Sequence, residues 1–351
     1  MRTKFNGQSR GPCVPAARQS SARAAMLLLA VGAALGLAAP AAHATLLVDE
    51  SWNYTNVANG ATMNGVTANA VGLSGTYTTQ PGDTPTFTYN DTGIAFGNLQ
   101  QSGQGSVSFS NVGLQEYKTQ YISVPISAST TSSTLYGSYV VQGTVVNSGV
   151  SGSGNDMEMQ VDIGSQYQGQ GAPIDPLFEA YAATFGALQL GQFTAGHSNN
   201  ATLTAGTGVT SYTTNTPYLV LFTVTGLGTT TVGGAEWVLT AAQYNNFAST
   251  NTLDPTDLTN AARGSSATDV TAAATMSPRS SVVVPTLTGQ YLNIGGYSAG
   301  TYGTTTFGEV RLSDTSLAEA APVAAVPEPA VLGLMAAAGM GLLLLRRRRA
   351  V

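Results

Sequence analysis

The chain has 351 residues, 41 of them Gly, and is 43% hydrophobic but only 9% charged, which supplies a core and excludes wholesale disorder. Its charge is segregated: five basic residues precede residue 25 and four more are Arg346, Arg347, Arg348 and Arg349. Between Asp49 and Glu328 all 18 acids face only Lys118, Arg263, Arg279 and Arg311, a balance of −14 that leaves no basic face for phosphates and excludes nucleic acid.

Cysteine and histidine remove further classes. Cys13 is the only cysteine and lies ahead of the body, so the body has neither a disulfide framework nor a thiol nucleophile. His43 and His197 are the only histidines, too few for a zinc site of the usual Cys/His kind. His197, in the run Ala195 to Asn199, reads as a loop residue.

In chain order, residues 1–44 read as a signal peptide. A basic n-region leads into the apolar run Ala24 to Ala39, Pro40 breaks it, and Ala42-His43-Ala44 gives the small-x-small pattern a signal peptidase accepts. Cleavage is expected after Ala44.

Residues 45–320 alternate apolar with polar residues, the signature of half-buried strands. Ser106 to Ser110, Ile122 to Val124 and Phe222 to Thr225 are examples, and Asp156 to Ile163 is the sharpest. About 12 to 14 strands are expected by this criterion. Pro217 and Pro125 fall at strand ends, where a missing N–H is tolerated. Two short helices are predicted. Thr240 and Gln243 have capping-box spacing, and Asp254-Pro255 places an N-cap before a Pro at N1. Many strands with few helices predict an all-β fold, an antiparallel β-sandwich of two packed sheets.

The chain after the body is Ala/Pro/Val-rich, and residues 321–326 read as a linker. Pro327-Glu328-Pro329 follows, then the apolar run 330–345 and Arg346 to Arg349. As a single hydrophobic helix the run is about 24 Å long. Arginine stems and bilayer thinning can match it to a hydrocarbon core of about 30 Å. The arginines orient it with the tail in the cytoplasm and the body on the far side. The two prolines keep the tripeptide extended just outside the membrane, where a membrane-embedded processing enzyme can grip it.

This three-part tail resembles the PEP-CTERM sorting signal of Gram-negative bacteria, over residues 327–351. The resemblance implies recognition by an exosortase at the inner membrane, processing near Pro327, Glu328 and Pro329, and delivery to the cell surface or exopolysaccharide matrix. The body resembles, at its two ends, the concanavalin A/laminin-G-like jelly roll. Glu50-Ser51-Trp52-Asn53-Tyr54 stands where that family opens with E-x-F-x-Y, and Phe307 to Leu312 where it closes, although Trp52 replaces a Phe and Gly308 an Asp. The resemblance implies that the two segments are neighbours in one sheet.

Candidate sites are few. Asp156, Glu158 and Asp162 share one face of a strand, with Asp156 and Glu158 about 7 Å apart, a spacing open to paired-carboxyl chemistry. Their order, D-x-E-x-Q-x-D, departs from the laminarinase-like E-x-D-x-x-E and E-x-D-x-E, and nearby aromatic platforms are limited to Tyr167 and Tyr181. A solvated acidic face is the simpler expectation. Glu309 and Arg311, two apart on a strand, suggest an ion pair of small energetic value. Tyr291, Tyr297 and Tyr302 suit either sugar stacking or ordinary strand positions. No cofactor is expected, although Asp83, Asn90 and Asp91 leave weak calcium binding open. The functional expectation is a non-enzymatic structural or adhesive module of the envelope, touching extracellular polysaccharide. A lectin-like module and a glycoside hydrolase are the alternatives.

Overall fold

The computed structural model describes residues 46–79, 86–110, 118–144, 156–164, 166, 176–185, 188–190, 203–205, 215–229, 231–250, 253–263, 272–280, 287–298 and 304–323. Ala42, Ala44, His197, Tyr302, the Pro327-Glu328-Pro329 motif, the run 330–345 and Arg346, Arg347, Arg348 and Arg349 lie outside them. Among the described residues no helix is long and apolar enough to cross a membrane.

Among the described residues fifteen strands, numbered along the chain, form two sheets in which every pairing is antiparallel. The larger runs β10 (Leu203–Ala205), β13 (Ala272–Ser280), β12 (Thr231–Thr240), β11 (Tyr218–Thr225), β6 (Thr134–Gly143), β15 (Thr304–Ser313), β4 (Ser106–Ser110), β3 (Thr88–Asn90), with β1 (Val48–Glu50) also on β15. The smaller runs β2 (Thr78–Thr79), β5 (Lys118–Pro125), β14 (Tyr291–Ser298), β7 (Asp156–Gly164), β8 (Pro176–Phe185), β9 (Leu188–Leu190). The fold is an all-β sandwich.

The core between the sheets follows from the period-2 pattern. Ile122, Val124, Val161, Ile163, Leu292 and Ile294 of the smaller sheet belong to one buried cluster with Val107, Tyr139, Val220, Phe222 and Phe307 of the larger. Burying each such side chain contributes about 1.5–3 kcal/mol. Strand β11 departs from alternation because it is apolar on both faces: Val220 and Phe222 join this core, whereas Leu219 and Leu221 join a second one.

That second core covers part of the outer face of the larger sheet. Trp237, Leu219 and Leu221 pack with Tyr244 and Phe247 of helix α1 (Ala241–Thr250), Leu258 of α2 (Pro255–Arg263) and Leu317 of α3 (Leu317–Ala320). The first two helices start where the caps predict. Thr240 N donates to Gln243 Oε1 at 2.8 Å while Gln243 N donates back to Thr240 Oγ1 at 3.3 Å, and Thr256 N donates to Asp254 Oδ1 at 2.8 Å.

The third helix corrects the reading of the chain's end. Ala321 is buried, the Tyr244 hydroxyl donates to Ala321 O at 2.9 Å, and Gln100 N donates to Pro322 O at 2.8 Å. Residues 321–323 are therefore docked against the body and not the start of a loose linker. The contacts run through the Ala321 side chain and the two backbone carbonyls, while Val323 is exposed.

At the other end, β1 lies against β15 in the register Val48↔Leu312, Asp49↔Arg311, Glu50↔Val310, the neighbourhood expected of the two segments. Just past β1 the backbone of Trp52 takes the left-handed conformation, φ 54°. Three contacts hold this costly geometry: Trp52 N donates to Glu50 Oε1 at 2.7 Å, its indole Nε1 donates to Gly308 O at 2.6 Å, and its ring packs 5.7 Å from Tyr77. Gly105 lies beneath, where a Cβ would come 1.8 Å from Trp52 O.

Candidate functional site

On the smaller sheet, Ile122, Val161, Ile163 and Ile294 point into the core, so the intervening residues face outward. Strand register then lines up one residue from each of five strands: Thr78↔Ser123↔Asn293↔Asp162↔Glu179. With strands about 4.8 Å apart, this row runs about 19 Å across the sheet. The parallel row on one side is Tyr121↔Gly295↔Gln160↔Tyr181, in which Gly295 presents no side chain between Tyr121 and Gln160.

These groups are not solvated. Asp162 and Asn293 are 0% exposed, Ser123 1% and Tyr121 2%, as buried as the core although they sit on the opposite face. Asn293 Nδ2 donates to Asp162 Oδ1 at 2.6 Å, a short charge-assisted bond. At the β2 end, Gln166 Nε2 donates to Thr78 Oγ1 at 2.8 Å, laying the residue beyond β7 over the row. Burying a carboxyl and an amide costs several kcal/mol unless they are partnered, so a sheet face built this way is maintained at a cost to stability. Asp162 stands directly opposite Glu179. Residues so placed on antiparallel strands have Cβ atoms about 4.5–5.5 Å apart.

Among the described residues three more buried acids, Glu50, Glu236 and Glu309, lie elsewhere. Glu50 accepts from Trp52 N, from the Tyr54 hydroxyl at 3.0 Å and from the Tyr77 hydroxyl, and burial outweighs these donors to push its pKa up to about 7. Glu309 and Arg311 form the expected ion pair, with Arg311 NH2 2.8 Å from Glu309 Oε1, but it is buried. Arg311 also lies 3.5 Å from Asp49 and donates to Gln100 O at 2.6 Å, and burial raises the Glu309 pKa against the pull of the guanidinium. Instead of a surface pair of small value, it is a fastening between β15, β1 and the 100–102 segment. It is structural.

The sequence candidates therefore separate. Asp162 belongs to the polar row, and Asp156 and Glu158 lie on the same strand at register positions opposite Phe185 and Ala183. Tyr291 is at the end of β14 opposite Pro125, beyond the row. Asp91 and Asn90 lie on the other sheet, Asp83 falls outside the described residues, and among those residues no three His, Cys, Asp or Glu gather as a metal would need. Ser123, Asn293, Tyr121 and Glu179 were not singled out by sequence. The signal existed only as register between strands distant in the chain.

The chain matches no protein-family model and no curated protein. Among solved structures it is similar to the endo-β-1,4-glucuronan lyase of the fungus Trichoderma reesei. That likeness has a TM-score of 0.36 and 8% identity, over 75% of this chain and 97% of that one. It is also similar to a marine PL-14 alginate lyase from Aplysia kurodai, with TM-score 0.31 and 10% identity, over 63% and 87%. The expectation of a non-enzymatic structural or adhesive module is corrected on the chain's own geometry rather than on these distant likenesses. The physical step behind that expectation was a solvated acidic face on β7. It fails at Asp162, which is buried and hydrogen-bonded.

Proposed function

We propose that the chain is a polysaccharide-cleaving enzyme working on the outer face of the smaller sheet. The observation that carries the reading is the buried row in which Asp162 is bonded to Asn293 and faces Glu179. Glycosidic cleavage by two carboxyls needs one group protonated toward the leaving oxygen and one ionised. A separation of about 5–5.5 Å suits a retaining reaction. Two carboxyls sharing a site hold one proton between them more readily than none. In this reading Asp162 and Glu179 are the pair and Asn293 positions Asp162.

Charge selects the substrate class. A body of 18 acids and four basic residues repels a polyuronate, so a neutral glycan is the better partner. Purified protein is expected to release reducing sugar from a neutral β-glucan, with Asp162→Asn and Glu179→Gln each lowering the rate about a hundredfold or more. Unsaturated products from alginate or glucuronan would instead establish β-elimination. No release from either kind of polymer would remove the enzymatic reading.

The pairing of β1 with β15 and the wholly antiparallel sheets support reading the sandwich as a concanavalin A-like jelly roll. The termini support export by signal peptidase after Ala44 and sorting by an exosortase at Pro327-Glu328-Pro329 from the inner membrane to the cell surface or matrix. Intact mass of the surface protein tests this: the mature chain should begin at Thr45 and lack Arg346 to Arg349. Full-length chain at the surface would rule it out.

A further inference from the structure

The outer face of the larger sheet changes character along its width. Where α1, α2 and α3 lie it is apolar, and Ile94 marks the limit of that cover. Beyond Ile94 the face becomes a groove of about 410 Å³ over β3, β4, β15 and β6. That volume falls in the range of small-ligand sites. Register again builds a polar row, Thr88↔Ser108↔Thr306↔Gln142, on four adjacent strands.

The side chains are held in place. Asn90 Nδ2 donates to Ser108 Oγ at 3.1 Å and to Ser106 Oγ at 3.4 Å, and Ser106 Oγ donates to Thr92 O at 2.8 Å. Gln142 Nε2 donates to Asn215 O at 2.6 Å. With both Asn90 amide hydrogens given to Ser106 and Ser108, that amide presents an acceptor oxygen; Gln142, one of whose two amide hydrogens goes to Asn215, presents an oxygen as well, and Thr306 presents a hydroxyl that both gives and accepts. Asp91 at the rim is the one charged residue of the lining, and no Lys or Arg joins it. A phosphate, sulfate or uronate therefore has no counter-charge here. A ligand whose own edge is a series of hydroxyls matches the lining, since every sugar hydroxyl can donate to Asp91 or an amide oxygen and accept from Thr306.

From this groove we infer a second glycan-binding site, for neutral saccharide, on the sheet opposite the proposed cleavage face. It holds polymer without cutting it, and it stands independently of the assignment of Asp162 and Glu179. The strands fix its geometry in advance, so little ordering is lost on binding.

Calorimetric titration of the full chain with laminarihexaose, cellohexaose and maltohexaose tests it. The expected result is binding of at least one probe. That binding should weaken about tenfold or more in Asn90→Ala and in Asp91→Ala, and persist in Asp162→Asn and Glu179→Gln. Circular dichroism of each variant confirms that the fold is kept, and Thr306→Arg, which fills the groove from a half-exposed position, serves as a second block. Binding lost in Asp162→Asn but kept in all three groove variants would overturn the inference while leaving the cleavage face intact. Absence of binding by all three probes would overturn it as well.

Discussion

Asn293 Nδ2 lies 2.6 Å from Asp162 Oδ1, joining β14 to β7 on the face of the smaller sheet turned away from the core. The bond ties together two residues 131 positions apart in a place where neither is exposed to water. Removing its donor therefore leaves a buried acceptor short of a partner.

Asn293→Ala is expected to destabilise the protein by about 1.5–3 kcal/mol, the range for hydrogen bonds to charged groups. Urea denaturation checks this, with an unchanged slope showing that the fold itself is retained. A loss below about 0.5 kcal/mol would mean that the pair is not built as described.

Stability should depend on pH through Glu50. Its pKa rises from 4.5 to about 7 on folding, because burial disfavours the charged form. The group's contribution is thus fully present below about 4.5 and is lost as pH rises through about 7, amounting to about 3 kcal/mol in all. Denaturation midpoints should fall across that window, and Glu50→Gln, which stays neutral, should flatten the fall. An unchanged profile in the variant would locate the dependence elsewhere.

Glu236 offers a stabilising change. It is 2% exposed on the inner face of β12, opposite Phe222, and both carboxyl oxygens are without a hydrogen-bond partner. Burial drives its pKa upward. Glu236→Met keeps the volume and removes the orphaned polar atoms, so the melting temperature should rise, by an amount equivalent to about 1–3 kcal/mol.

Gly137 predicts the opposite sign. A Cβ there would come 2.0 Å from Phe222 Cζ, inside the core between the sheets. Gly137→Ala must displace that ring, and a cost of about 1–3 kcal/mol is expected for such overpacking. A variant as stable as the parent would show that Phe222 has room to move.

What the sequence disclosed were local relationships. Alternation along Asp156 to Ile163 located β7 and told which of its residues share a face, and the pairs Thr240/Gln243 and Asp254/Pro255 located two helix starts. Each signal is carried within a few residues. Period 2 does not say what lies over a face, so Asp162 read as solvated when it is buried. Nor does it give register, and Glu179, Asn293 and Ser123 reach Asp162's row only through pairings between distant strands. Residues 321–323 misled for another reason: small apolar residues compose linkers and tight dockings alike, and only Tyr244 and Gln100 distinguish them.

The position of β15 sets the order in which this chain can fold. It is the last strand made, yet β6, β4 and β1 all pair with it, and Trp52 waits for Gly308, 256 residues further on. Until residue 313 has been synthesised the larger sheet is three separate pieces, the β10 to β6 run, the β4–β3 pair and β1, with the edges of β4 and β6 lacking their neighbour. Closure entropy over so long a separation falls due before any of these contacts forms. The nascent chain is therefore held open by its own topology, and assembly is a single late event completed by the strand nearest its C-terminal tail.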